Sequence, residues 1–344
     1  MKRFYISSHA GVSGINKYSR DFYRLILQEK GYIQIDSSSK FSEIFSAIAS
    51  KDYVHIELGI FQKKEIEILM RMIRANYRNI TVTLHDAPLI KYPFHEFRFP
   101  LLNKFSKFYD IHWNNFAKLE PYVKKINRIY VLSRKGVATV KTTYHASNVH
   151  YLPHIVDTSE ITTAKAINNN FIYFGFIGPN KGIEYSLKLH QRLLGEMPGG
   201  SDFYVVGKPL DGQKTFYDSL KSKYKQNVHY LGYVPDEDLK WIFQQATFAL
   251  LPFRDYGFFY PSSGSILNSL KNGKVVFTNN VNTVPEIIED GKNGFFLCGQ
   301  LNRDAEIISK IAHNEVLINK VINTAHEYVI QNHSVEKVNQ SFNE

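Results

Sequence analysis

The chain has 344 residues, 44% of them hydrophobic, with 25 Phe and 22 Tyr, which is more length than one domain usually takes and apolar mass enough for two cores. One cysteine, Cys298, excludes an internal disulfide and fits a reducing cytoplasm. No run approaches the roughly 20 apolar residues of a spanning helix, and only three apolar residues follow Met1-Lys2-Arg3, too few for a signal peptide. The net charge of +10 is uneven: residues 1–150 hold 24 Lys and Arg against 12 Asp and Glu, residues 151–344 hold 18 against 20. Two readings of the basic half stay open. One is an anionic partner, whether membrane surface, lipid-linked phosphate or nucleic acid; the other is a surface that only keeps the protein soluble.

In chain order, a first strand at Phe4–Ser7 runs into Ser7-Ser8-His9-Ala10-Gly11-Val12-Ser13-Gly14, with a helix starting near Ile15-Asn16. Small residues such as Gly14 let the backbone approach a ligand, and a helix start supplies N–H donors. Strands at Tyr53–Glu57 and Ile80–Leu84 flank a helix whose Ile66, Leu69, Met72 and Ile73 make one face. The second strand leads into His85-Asp86, a histidine at a strand's C-terminal end, where α/β active sites form. Asp86 either orients the imidazole or caps the next turn. Residues 88–118 are rich in aromatics and bases; Leu101, Leu102, Phe105, Phe108 and Tyr109 share one helical face, with Lys104 and Lys107 off it. That face packs on its own core or lies on an anionic membrane, and no nucleic-acid motif accompanies it. Strands at Ile129–Leu132 and Val149–Leu152 close this series, and the polar stretch 157–170 is the linker candidate.

The second series has strands at Phe171–Phe174, Phe203–Val206, Val228–Leu231, Phe248–Leu251 and Val275–Thr278, alternating with helical patterns. After the first comes Gly175-Phe176-Ile177-Gly178-Pro179-Asn180-Lys181-Gly182, where Lys181 at a helix start is placed to neutralise a diphosphate. Gly207-Lys208-Pro209 and Gly232-Tyr233-Val234-Pro235 end the next two strands. Ser262-Ser263-Gly264-Ser265 then opens an apolar-periodic helix that stops at Asn272-Gly273 before the last strand. A helix start reached through a serine-glycine turn presents free N–H groups and a positive dipole end to an anion, here a phosphate. Alternating strands and helices predict parallel sheets covered on both faces. The expected division is a first Rossmann-like domain at 1–156, a linker at 157–170, a second at 171–313, and a C-terminal helical region at 314–344 that packs back across the domains. HExxH, CxxC and Walker patterns are absent, as is a carboxylate pair suited to Mg²⁺, so a metal-independent site is expected.

Val284-Pro285-Glu286-Ile287-Ile288, Asp290-Gly291 and Asn293-Gly294-Phe295, following Ser263-Gly264-Ser265, resemble the C-terminal domain of retaining GT-B glycosyltransferases, particularly family 4. The resemblance implies two doubly wound α/β domains facing a cleft, and transfer of a sugar from a nucleotide-sugar to an acceptor hydroxyl with retention and without a cofactor. It implies a UDP-sugar in preference to a GDP-sugar, His85 at the donor sugar, and Asn16 with Asp86 toward the acceptor. Gly14, Gly178, Lys181, Lys208, Tyr233, Val234, Ser262, Ser263, Gly264, Ser265 and Asn268 are the implied donor-binding set. Two departures stand out. Phe176 occupies the place of the family's arginine, with Arg254 or Lys208 as the candidate substitute, and Asn268 that of the glutamate at the ribose. The family's other glutamate has no clear counterpart, Asp255 being a weak candidate. The expected acceptor is a glycan or lipid-linked glycan of a bacterial surface polysaccharide, with the protein cytoplasmic or peripheral at the inner membrane face and no nucleic-acid partner. The alternatives are a non-hydrolysing nucleotide-sugar epimerase and a nucleotide-binding protein with a decayed catalytic site.

Overall fold

A computed structural model describes residues 1–9, 13–59, 62–88, 120–159, 161, 167–197, 200–255 and 260–342. The amphipathic stretch expected at Leu101–Tyr109 lies outside them. The chain forms two compact units: Met1–Asp157 with Phe258–Ser262 and Val335–Glu344, and Thr158–Gly257 with Ser263–Ser334. Each is built on a six-stranded, all-parallel sheet.

In the first unit the strands are β1 (Arg3–Ser7), β2 (Tyr32–Asp36), β3 (Tyr53–Leu58), β4 (Asn79–Leu84), β5 (Arg128–Val131) and β6 (Val149–Tyr151), in the order β2-β1-β3-β4-β5-β6. The order reverses between β1 and β3, which puts a ligand crevice outside their C-terminal ends. The period of two divides the sheet into unlike faces. Phe4, Ile6, Val54, Ile56, Leu58, Ile80, Val82 and Leu84 form one apolar face with residues of helices Phe41–Ala47, Lys63–Arg74 and Arg134–Tyr144. The opposite face carries Tyr5, His55, Glu57, Thr81, Thr83 and Tyr130, all buried. It is covered by helix Gly14–Phe22, which runs on as a wide turn over Tyr23–Leu27, and by the C-terminal helix Val335–Ser341. Phe342 lies against the rings of Phe22, Tyr32, His55 and Tyr130, so the end of the chain completes the core of its beginning. Full burial of such a side chain contributes about 1.5–3 kcal/mol.

In the second unit β7 (Phe171–Phe174), β8 (Phe203–Val206), β9 (Val228–Gly232), β10 (Phe248–Leu251), β11 (Val275–Asn279) and β12 (Phe295–Leu297) are ordered β12-β11-β10-β7-β8-β9. This is the Rossmann order, with its switch point between β7 and β10. Phe171, Phe203, Phe248 and Phe277, one from each of four strands, are fully buried. The covering helices include Ile183–Leu193, Asp236–Gln244, Gly264–Lys271, Leu301–Ala312 and Glu315–His333.

The ten strands expected from the sequence are present, each within one residue at either end. Two others, β2 and β12, were not expected. Both are edge strands, and an edge strand needs less apolar sequence: β2 includes Gln34 and Asp36, and β12 has only three residues.

Candidate active site

At the switch point of the second unit, the segment after β7 is tied to its neighbours through backbone. Gly175 N donates to Val206 O (3.0 Å), Ile177 N to Lys208 O (2.9 Å) and Leu210 N to Ile177 O (2.9 Å). Gly207 N donates in turn to Gly232 O (2.7 Å), linking the ends of β7, β8 and β9. Glycine is required here by space as well as dihedral. Gly207 has φ +146°, and a Cβ on it would stand 1.8 Å from Gly175 O; at Gly182, with φ +74°, one would stand 1.9 Å from Pro252 O. The loop is thereby seated on the end of β10, where Arg254 N also donates to Asn180 O (3.2 Å).

Helix Gly264–Lys271 starts beside this loop: a Cβ on Gly175 would meet Ser265 Oγ at 2.6 Å. Ser263 caps it, its Oγ accepting from Ile266 N (3.3 Å), and the first turn's other N–H groups point from the helix end. Two cations border the loop. Lys181 Nζ lies 5.7 Å from the ring centre of Phe253, and Lys208 Nζ lies 5.8 Å from that of Phe176. The structure thus brings a lysine against the phenylalanine that stands where the family has arginine. Gly178 is extended and precedes the short turn Pro179–Lys181. Asn268 is one turn into the helix, and its Nδ2 donates to Gly264 O (2.8 Å). Tyr233, 48% exposed, and half-buried Val234 follow β9 at the edge of the sheet, two strands from the switch point.

Ser262 falls in the first unit. Tyr260 N donates to Ala87 O (2.7 Å), Ser133 Oγ donates to Tyr260 O (2.8 Å), and Lys135 Nζ lies 4.7 Å from the Tyr260 ring centre. Residues 260–262 therefore join the strand ends that also carry His85. No local pattern in the sequence marks this docking.

In the first unit Ser13 caps helix Gly14–Phe22, its Oγ accepting from Asn16 N (3.0 Å). Gly14 borders open space, and Asn16 is buried. Gly59, just after β3, is packed so closely that a Cβ would meet Ile15 Cδ1 at 2.1 Å and Asp86 Oδ2 at 3.2 Å. This brings the start of that helix, the end of β3 and Asp86 together. His85 continues β4, pairing its N–H with Leu58 O (2.9 Å), and is 7% exposed.

The carboxylate on the His85 ring is that of Glu57. His85 Nε2 lies 2.7 Å from Glu57 Oε2, and Tyr5 OH donates to Oε1 (2.9 Å). His55 Nε2 lies 3.4 Å from the same Oε1, while His55 bonds Thr81 Oγ1 through Nδ1 (2.8 Å) and Thr83 Oγ1 through Nε2 (2.9 Å). The register explains the group: Tyr5 pairs with His55, His55 with Thr81 and Glu57 with Thr83 across β1, β3 and β4. Burial raises the Glu57 carboxyl, but hydrogen bonds from His55 and His85 and their charge outweigh it and hold it at about 2. Burial, with the Glu57 charge beside it, pushes the Tyr5 phenol up. The sequence reading passed over Glu57, although a signal existed: two ionisable residues, His55 and Glu57, alternate with aliphatics in a strand that reads as fully buried. Among the described residues there is no group of three or more His, Cys, Asp or Glu able to hold a metal ion.

Residues 168–314 match the family model described as glycosyl transferases group 1. No curated protein matches the chain in sequence. Among solved structures, HepE from Anabaena in complex with UDP-glucose aligns with TM-score 0.71 at 14% identity, over 99% of this chain and 97% of that one. Sucrose-phosphate synthase from Thermosynechococcus elongatus aligns with TM-score 0.73 at 12% identity, over 99% and 97%. TarM from S. aureus, solved as a mutant with Fondaparinux, alpha-GlcNAc-glycerol and UDP, aligns with TM-score 0.64 at 16% identity over 87% of this chain. This chain spans 56% of TarM's length. Residues 168–314 thus match the glycosyl transferases group 1 model, in a chain whose two Rossmann-like units have the GT-B fold.

Proposed function

We propose that this protein is a metal-independent, retaining glycosyltransferase that moves a sugar from a UDP-sugar to an acceptor hydroxyl. The observation that carries the reading is the convergence, at the β7/β10 switch point within residues 168–314, of the Ser263-capped helix start with Lys181 and Lys208. Free N–H groups and two cations suit a leaving diphosphate, and fixed charges aimed at developing charge are usually the largest contribution to catalysis. In the proposed step the bond from the anomeric carbon to the β-phosphate oxygen breaks, and a bond to the acceptor oxygen forms on the same face. The acceptor's proton passes to the leaving phosphate, which dispenses with a side-chain base. His85 binds a hydroxyl of the donor sugar, Asn268 the ribose, and the ends of β8 and β9 the base. Asn16 and Asp86 belong to the acceptor side.

We assign the acceptor to a glycan of a bacterial surface polysaccharide, built on a lipid carrier. The excess of Lys and Arg in residues 1–150 supports a peripheral place at an anionic membrane. Sedimentation with anionic and neutral vesicles tests it: equal binding to both at low salt removes the membrane from the proposal.

The transferase reading is tested by thermal shift against a panel of nucleoside diphosphates, with UDP expected to stabilise most. Product analysis with UDP-glucose and UDP-N-acetylglucosamine follows, with and without a chelator. Binding of no nucleoside diphosphate would refute it. An epimerase reading has one observation in its favour, the grouping of His55, Glu57 and His85. His55 and Glu57 are both wholly buried, however, and cannot touch a substrate. Interconversion of UDP-sugars without an acceptor would establish that reading instead.

A further inference from the structure

Glu57 lies beneath His85 on the central strand β3, wholly buried, and its environment is too complete for an incidental polar contact. An ionised carboxylate accepts hydrogen bonds and donates none. The 2.7 Å approach of His85 Nε2 to Glu57 Oε2 therefore requires the hydrogen on Nε2. The other oxygen is occupied as well, by the Tyr5 hydroxyl at 2.9 Å, with His55 Nε2 at 3.4 Å, so the carboxylate cannot turn away. His55 is held by threonine hydroxyls on both ring nitrogens. The His85 ring is fixed in a second direction by the ring of Tyr18, edge-on at 4.8 Å and 83°.

We propose that Glu57 is a positioning residue for catalysis: through its bond to Nε2 it locks His85 in the Nε2–H tautomer and reserves Nδ1 as the nitrogen that meets the substrate. In its neutral form the ring so held offers Nδ1 as an acceptor, suited to a sugar hydroxyl, which has a proton to donate. Without the carboxylate the two tautomers interconvert freely, and the wrong one presents an N–H to that hydroxyl. The inference rests on the reading of His85 as a residue of the donor-sugar site. It adds the buried carboxylate that gives His85 one fixed chemical character.

Nitrogen NMR of protein labelled in its histidines, with the His85 signal assigned by its loss in H85A, reports the tautomer directly. The intact protein should show Nε2–H alone. In E57Q the tautomer should become mixed, and sugar release from UDP-glucose should slow by about 10- to 100-fold, the usual range for a residue that orients another. UDP affinity should stay unchanged, because the nucleotide site lies in the other unit. An Nδ1–H tautomer in the intact protein overturns the inference even if E57Q fails to fold. So does an E57Q protein that keeps both the tautomer and the rate. If E57Q frees the tautomer while H85A remains fully active, the hold of Glu57 stands and the reading of His85 falls instead.

Discussion

Gly182→Ala is the most exacting test of how the second unit builds its loop. The new Cβ would lie 1.9 Å from Pro252 O and 2.7 Å from Pro252 C. To reach the roughly 3.5 Å of an ordinary carbon contact, the loop must retreat by about 1.5 Å. A left-handed dihedral costs a residue with a Cβ about 1–2 kcal/mol, and Gly182 has φ +74°. The retreat also strains the bonds from Arg254 N to Asn180 O (3.2 Å) and from Lys181 N to Gly178 O (2.9 Å), at about 0.5–1.5 kcal/mol each. Together these come to about 2–5 kcal/mol, which lowers the melting of a unit of this size by roughly 5–15 °C. Displacing Lys181 weakens UDP as well, by the about 1.5–3 kcal/mol of a hydrogen bond to a charged group, or about 10- to 150-fold in Kd. Calorimetry measures both, unfolding by scanning and UDP by titration. Gly195→Ala is the control, since nothing lies within 4 Å of its Cβ position. A Gly182→Ala protein that melts with the control and binds UDP as tightly would refute the argument that contact with Pro252 seats the Lys181 loop.

Lys181→Ala and Lys208→Ala should each weaken UDP by about 1.5–3 kcal/mol with the fold intact; unchanged titration calorimetry for either removes that lysine from the site. His85→Ala should lower sugar transfer far more than UDP affinity, and equal losses in both would place His85 in the nucleotide pocket or in the fold alone. Acid should unfold the first unit through Glu57. Its carboxyl is held at about 2 against the ordinary 4.5, so its stabilisation is complete above about 4.5 and is lost as pH falls toward 2. The loss amounts to about 3 kcal/mol, and Glu57→Gln should flatten that stretch of the stability curve. A stability curve for Glu57→Gln that still falls as steeply would assign the acid sensitivity elsewhere.

The sequence by itself determined the alternation of strands and helices, because parallel strands buried on both faces read as short apolar runs such as Phe248–Leu251 and Val275–Thr278. It also determined the serine-glycine start of helix Gly264–Lys271, since a cap is a matter of neighbouring residues and Ser263 acts on Ile266 three positions on. Edge strands β2 and β12 escaped because an edge needs little apolar sequence. Only the tertiary structure decided which distant residues meet. His85 and Glu57 are 28 positions apart, whereas the sequence offered only the neighbouring Asp86 to orient the histidine, and that residue could equally well cap the next turn. Strand register, pairing Glu57 with Thr83 and so placing it one step below His85, chose otherwise. Lys208 reached Phe176 in the same way, through the pairing of Ile177 with the segment after β8. The return of residues 335–342 to the first unit is marked by Phe342, whose ring packs against those of Phe22, His55 and Tyr130. Local pattern fixes elements because propensity and capping act over a few residues; partners across a sheet are fixed by register, which no short stretch of sequence contains.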